Sequence, residues 1–244
     1  MIGRVAVSTK GLVKKYCKRR ALDGFTLDVP SGCVMGLVGP NGAGKTTWMM
    51  AVAGLLRPSA GSIGLFGTSK PFDAAEHSGK LAILPQDSEL PLESTAEGFL
   101  YGLARLQGLS PQAAKASVAA VLEAVNLADR ATASIRSLSH GMRKRLMAAQ
   151  CFLGEPELIL LDEPMNGLDP EEVVRFRNLI ISRRESCTVI VSSHNLADLE
   201  KFCTHIAFVR DGKVTKVAPL KDLTADGGSL EDVYLNANHA NSTN

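Results

Sequence analysis

The sequence predicts an α/β fold, a parallel core interrupted by a helical insertion. Three observations predict it. Apolar, β-branched runs bounded by Gly and Pro alternate with helical stretches along most of the 244 residues. An apolar run, Cys33-Val34-Met35-Gly36-Leu37-Val38, leads into the glycine-rich loop Gly39-Pro40-Asn41-Gly42-Ala43-Gly44-Lys45-Thr46 and then into a helical pattern. A second apolar run, Leu158-Ile159-Leu160-Leu161, ends in the adjacent carboxylates Asp162 and Glu163 and then Pro164.

Taken in order, residues 1–38 are strand-rich: Val5 to Ser8, Phe25 to Val29 and Val34 to Val38 are apolar runs between Gly and Pro breaks. A helix is expected from Thr46 to Leu55, then strands at Ser62–Phe66 and Leu81–Leu84. From about Leu92 to Gln150 the texture turns to Ala, Leu and Glu at helical spacing. There Ser110-Pro111 reads as an N-cap with Pro at the first helical position, opening a helix to about Val125. Leu158–Leu161 is a buried strand; Asp169-Pro170-Glu171-Glu172 caps a further helix with acids in its first turn. Cys187–Val191 is the next strand, and Ile206–Val209, Asp211-Gly212, Val214–Val217 reads as a hairpin. The expected organisation is one domain over 5–235, with core segments 5–86 and 156–235 and a helical insertion at about 87–155. Residues 236–244, polar throughout except for two alanines, are expected to be a disordered tail.

The glycine loop fits the pattern Gly, any four, Gly, Lys, Ser/Thr, which is a phosphate cradle. Glycines let backbone N–H groups close around a phosphate with no Cβ in the way, and the helix that follows turns its N-terminus toward the anion. Lys45 would reach the β- and γ-phosphates, and the Thr46 hydroxyl would hold Mg²⁺. Asp162 stands at the C-terminal end of a buried strand, where ligands bind in open α/β sheets, and suits Mg²⁺; Glu163 suits a general base. The chain is therefore expected to bind a nucleoside triphosphate.

Composition sets limits. The formal net charge of +2 is too small to argue for a nucleic-acid partner. Five cysteines, widely spaced and without zinc spacing, read as buried thiols of a reducing compartment. No apolar run approaches the roughly 18 residues that cross a bilayer, and the N-terminus lacks signal-peptide order. The expectation is a cytoplasmic protein that reaches a membrane only through a partner. Lys14, Lys15, Lys18, Arg19 and Arg20, and separately Arg143, Lys144 and Arg145, read as solvated basic faces.

In the order of its motifs the chain resembles the ATPase subunit of ABC (ATP-binding cassette) transporters, from about residue 5 to about 235. The phosphate loop corresponds to Gly39–Thr47. Tyr16 sits where the family stacks an aromatic on adenine. Gln86, in Leu84-Pro85-Gln86, matches the glutamine that touches Mg²⁺ and water and joins the core to the helical subdomain. Leu138-Ser139-His140-Gly141-Met142 stands where the family has its signature, Leu-Ser-Gly-Gly-Gln in its commonest form; Ser139 and Gly141 are kept, while Met142 cannot make the hydrogen bonds of a glutamine. Asp162 and Glu163 follow, then Asn166-Gly167-Leu168-Asp169, matching the loop that meets the partner ATPase subunit, and His194, matching the switch histidine at the γ-phosphate.

The resemblance implies a P-loop NTPase (RecA-like) core with an N-terminal antiparallel β subdomain and an inserted α-helical subdomain. It implies catalysis by Glu163, His194 and Gln86. Nucleotide would be held by Tyr16, Gly39, Pro40, Asn41, Gly42, Ala43, Gly44, Lys45, Thr46, Thr47 and Asp169, and by Ser139 and Gly141 acting on the facing subunit. Mg²⁺ would be held by Thr46, Gln86 and Asp162. The implied partners are a second ATPase subunit and a separately encoded transmembrane permease, with no nucleic acid. The protein would lie on the cytoplasmic face of a membrane through that permease. Leu230-Glu231-Asp232-Val233-Tyr234-Leu235 resembles the ending of exporter ATPases. Two other readings stay open: a soluble relative acting on ribosomes or DNA, and a regulatory subunit that binds ATP without turnover.

Overall fold

The computed structural model describes residues 4–240 except 87, 185 and 226. In chain order the elements are β1 (Val5–Tyr16), β2 (Arg19–Pro30), β3 (Val34–Val38), α1 (Lys45–Val52), β4 (Ala60–Leu65), α2 (Ala74–His77), β5 (Leu81–Leu84), α3 (Ala96–Leu106), α4 (Pro111–Ala124) and α5 (His140–Ala149). They continue with β6 (Leu158–Asp162), α6 (Pro170–Arg183), β7 (Thr188–Ser193), α7 (Leu196–Leu199), β8 (His205–Arg210), β9 (Lys213–Pro219), α8 (Leu220–Leu223) and α9 (Leu230–Ala240). They fall into two compact units, one made of the chain up to Pro71 with Thr188 onward, the other of Phe72–Cys187.

In the first unit, β2, β1 and β4 form an antiparallel sheet in that order, with Leu12 opposite Phe25 and Val7 opposite Leu65. Both strands at the hairpin run well past the stretches read from sequence. The register of β1 shifts between Thr9 and Leu12, around Gly11 at φ +58°, so its apolar alternation breaks and only Val5–Ser8 was legible. A second layer places β7, β3 and β8 side by side in parallel, with β9 returning antiparallel on β8. Every residue of β3 and β7 is buried, as expected of parallel strands covered on both faces. Trp48 of α1 ties the layers together. It is fully buried, stacks on Phe25 at 5.6 Å and donates from Nε1 to Thr9 Oγ1 at 3.2 Å. α1 stops at Val52 rather than Leu55, because Gly54 adopts φ +73° and leaves the helix.

α9 opens on a reciprocal cap, Ser229 N to Asp232 Oδ2 at 2.9 Å and Asp232 N to Ser229 Oγ at 3.2 Å. Tyr234 packs on Phe208 of β8. The helix carries on to Ala240, five residues into the stretch expected to be disordered. No Gly or Pro interrupts it, and a helix nucleated at a capped, packed end propagates cheaply. Residues 241–244 of that expected tail lie outside the described residues.

In the second unit β5 and β6 pair in parallel, with Leu84 level with Leu161. The helices α3, α4 and α5 lie within the stretch read as a helical insertion. Thr95 caps α3 and Ser110 caps α4, the latter with Pro at the first position as its sequence requires. Phe152 and Phe176 meet edge to face at 6.3 Å and help close this core. Four of the five cysteines are buried and Cys17 is exposed. Burial pushes the Cys33, Cys151 and Cys187 thiols up to about 12 and Cys203 higher still. No helix among the described residues is long and apolar enough to cross a membrane.

Candidate nucleotide-binding site

The first unit holds the phosphate loop, and backbone crowding shapes it. A Cβ on Gly39 would lie 2.2 Å from the Val209 carbonyl oxygen, so the loop leaves β3 hard against β8. Gly44 adopts φ +111°, and a Cβ there would lie 2.6 Å from Ala21 O. Ala43 N donates to Pro40 O at 3.1 Å, and Gly212 N donates to Ala43 O at 2.9 Å, pinning the loop to the β8–β9 turn. Gly44 is the N-cap of α1, and no side chain caps that end or places an acid in its first turn. The first-turn N–H groups are thus left to an anion from outside the helix. Lys45 is only 6% exposed, with Nζ donating to Gly39 O at 2.7 Å and Pro40 O at 3.3 Å. A buried ammonium held by its own loop is a cation poised for phosphate oxygens. Thr46 is exposed and Thr47 half-buried.

The same unit carries His194 and Tyr16. The parallel register pairs Val38 with Ser193, which brings His194 level with Gly39 at the C-terminal end of the strands. His194 is exposed; Ser193 Oγ accepts from Asn195 N at 3.0 Å, and Asn195 caps α7. Tyr16 is 49% exposed, with Lys14 Nζ 5.2 Å from its ring centroid. Opposite it in the hairpin, Arg19 reaches the loop and donates from Nη2 to Gly42 O at 3.1 Å. Arg19 read from sequence as part of a solvated basic face; the structure makes it a contact of the phosphate loop. The tight turn at Cys17, φ +50°, is what aims it there.

The second unit gathers the carboxylates. Asp162 ends the wholly buried β6 and is 3% exposed. Glu163, next in the chain, takes φ +50°, a left-handed conformation that costs a non-glycine residue about 1 kcal/mol and tends to mark functional positions. Gln86 and Glu163 each stand two residues beyond a register pair, Leu84 with Leu161, and so come level past the strand ends. Asn166 N donates to Glu163 O at 3.2 Å, and Asp169 Oδ1 caps α6 by accepting from Glu172 N at 2.9 Å.

Ser139 caps α5, its Oγ accepting from Met142 N at 3.2 Å. A Cβ on Gly141 would lie 2.9 Å from Glu172 Oε2. Glu172 also pairs with Arg145, Nε to Oε1 at 2.9 Å, both side chains about 15% exposed (14% and 15%). Arg145 therefore corrects the reading of Arg143–Arg145 as a solvated face: it forms a part-buried ion pair with Glu172. The available signal was Glu172 three residues after the Asp169 cap, a capping-box position whose carboxylate is turned to Arg145.

The donor chemistry fits Mg²⁺. Among the described residues no group of three or more His, Cys, Asp and Glu is arranged to hold a metal. A hydroxyl and one or two protein oxygens, completed by phosphate oxygens and waters, is the habit of Mg²⁺ in nucleotide sites.

A glycine loop after a buried parallel strand, with an uncapped helix start and a buried lysine, defines a P-loop nucleoside-triphosphate-binding ATPase. The family model described as ABC transporter matches residues 22–166. The chain is 33% identical over 219 residues to the Nod factor export ATP-binding protein I of Burkholderia orbicola (strain AU 1054), covering 87% of this chain and 71% of that one. It is 33% identical over 228 residues to an uncharacterised ABC transporter ATP-binding protein of Bacillus subtilis (strain 168), covering 91% and 73%. A solved ATP-binding subunit of an ABC transporter superposes with a TM-score of 0.84 at 27% identity, over 96% of this chain and 99% of the other. The ADP form of another ATP-binding cassette, at 23% identity and a TM-score of 0.77, shows the shared fold alone. The chain belongs to the ABC transporter ATP-binding family and is an ATP-binding, ATP-hydrolysing subunit.

Proposed function

We propose that this subunit powers a separately encoded transmembrane permease, working as a dimer that sandwiches two MgATP. The observation that carries the reading is the division of labour within one chain. The loop built for phosphate lies in one unit, while Ser139 and Gly141, at the start of a ten-residue helix, lie in the other. Head-to-tail pairing would let the signature of each subunit complete the nucleotide site of its partner. The second ATPase subunit is a copy of this chain or a different one. Export is the proposed direction, supported by the C-terminal Leu230–Leu235 segment and by the export role in the name of the Burkholderia relative.

In this reading Lys45 leaves the Gly39 and Pro40 carbonyls for the β- and γ-phosphates, and the α1 N–H groups take phosphate oxygens. Tyr16 stacks on adenine. Mg²⁺, held by Thr46, Asp162 and Gln86, would neutralise charge on the phosphates. Glu163 takes a proton from the attacking water, whose oxygen bonds to the γ-phosphorus as the bond to the β–γ bridging oxygen breaks. ADP and phosphate leave, and His194 holds the γ-phosphate and water in line.

The test is recovery of tagged Glu163→Gln protein from gently solubilised native membranes with MgATP, read by mass spectrometry. A stoichiometric multi-span membrane protein is expected. Recovery with ribosomes or nucleic acid and no membrane protein would overturn the permease reading.

A further inference from the structure

We propose that Arg145 and Glu172 are positioning residues, with Lys144 beside them, that lock the signature end of α5 to the Asn166–Asp169 loop so that both meet the facing subunit as one surface. The inference rests on the sandwich dimer proposed above and names what sets its geometry.

Arg145 is the hub. Its Nε pairs with Glu172 Oε1 at 2.9 Å, while Nη1 donates to Val125 O at 2.8 Å and Asn126 O at 2.9 Å. Those carbonyls close the C-terminal end of α4, where a cation is favoured. One guanidinium thus joins α4, α5 and the first turn of α6. Lys144, one residue earlier, donates from Nζ to Asn166 O and stands 2.7 Å from where a Cβ of Gly167 would be. α5 therefore grips the loop at its start through Lys144 and at its end through Glu172, whose N–H is held by Asp169 Oδ1.

The pair also settles a charge conflict. The Glu172 carboxylate lies against Gly141, so a Cβ there would push that carboxylate aside. In the proposed dimer the same helix start receives a γ-phosphate, and an uncompensated carboxylate beside it would repel that anion. Arg145 supplies the compensation. A guanidinium fork that serves a carboxylate and two carbonyls at once is a job lysine cannot do.

The experiment is sedimentation velocity of the Glu163→Gln protein with saturating MgATP and its partner supplied, compared with the same protein carrying Glu172→Gln, Lys144→Met, Arg145→Met, or Arg145→Met with Glu172→Gln. Binding of a fluorescent ATP analogue to the single chain is measured alongside. Expected is dimerisation at least about tenfold weaker for Arg145→Met, with partial recovery when Glu172→Gln is added, and single-chain nucleotide affinity unchanged. If Arg145→Met fails to fold, Glu172→Gln and Lys144→Met, which keep side-chain volume, carry the test. Amide hydrogen exchange gives a second readout: Glu172→Gln should loosen 138–145 and 166–172 together and leave 39–52 untouched. Dimerisation equal to the parent, or loosening of only one of the two segments, overturns the clamp. A parent that stays monomeric overturns the sandwich itself, and the clamp's role falls with it.

Discussion

The phosphate loop, Gly39 to Thr46, is shaped mainly by backbone against backbone, with the Arg19 side chain on Gly42 O, whereas the signature end of α5 and the 166–172 segment are tied to each other mainly by side chains. At the phosphate loop the Val209 and Ala21 carbonyls leave no room for a Cβ on Gly39 or Gly44, and the loop's own carbonyls hold Lys45. In the signature region a serine cap, the Arg145–Glu172 pair and Lys144 do the holding. The difference teaches where this protein tolerates change. A backbone-built cradle depends on a few obligatory residues. A side-chain-built surface accepts His140 and Met142 in place of the family's commoner residues, provided its ties survive.

Substitutions that break this contrast differ in size. Lys45→Ala should have the largest effect, lowering ATP affinity by about a hundredfold or more, since a charge-assisted contact worth about 3 kcal/mol disappears (equilibrium dialysis with labelled ATP). Gly39→Ala comes next. Its Cβ would need the β8 backbone to retreat, costing about 1–3 kcal/mol and lowering the thermal midpoint together with nucleotide binding. An unchanged midpoint would show that the loop is not pressed against β8.

Glu163→Gly sharpens the contrast from the other side. Removing the side chain at φ +50° relieves left-handed strain of about 1 kcal/mol, so chemical denaturation should show a protein no less stable than wild type, while ATP turnover falls to background. The smallest effect concerns the thiols. At neutral pH one thiol, Cys17, should label rapidly and the other four only on unfolding. Burial raises the folded pKa of Cys33, Cys151 and Cys187 to about 12, above the roughly 8.5 of an unfolded thiol. The neutral thiols therefore contribute stability in full below about pH 8.5, and that contribution is lost as pH rises toward 12. A thermal midpoint that falls across this alkaline range checks the sign.

The backbone-built region was legible because its chemistry is local. Glycine spacing, an apolar strand before and a helical pattern after are all written within twenty or so contiguous residues. The same holds for Asp162 and Glu163 at the end of β6, and for the Ser110 and Asp169 caps. The Arg145–Glu172 pair was not legible, since a charge after the signature looks the same whether it faces water or a neighbouring helix; only packing decides. Arg19 escaped for the same reason, being aimed by the turn at Cys17. The true lengths of β1 and β2 were hidden by the register shifts and by the charged residues at the hairpin end.

The central claim is that the phosphate loop of each chain binds nucleotide and that its Ser139–Gly141 segment completes the site of the facing subunit. Its most direct test is the mass of Glu163→Gln protein in sedimentation velocity, with and without MgATP and with the second ATPase subunit supplied where that is a different chain. The account predicts a monomer without nucleotide and a stable dimer with it, lost again in Glu163→Gln with Ser139→Arg although that variant still binds ATP. A species that stays monomeric under saturating MgATP, or a dimer indifferent to Ser139→Arg, would contradict it.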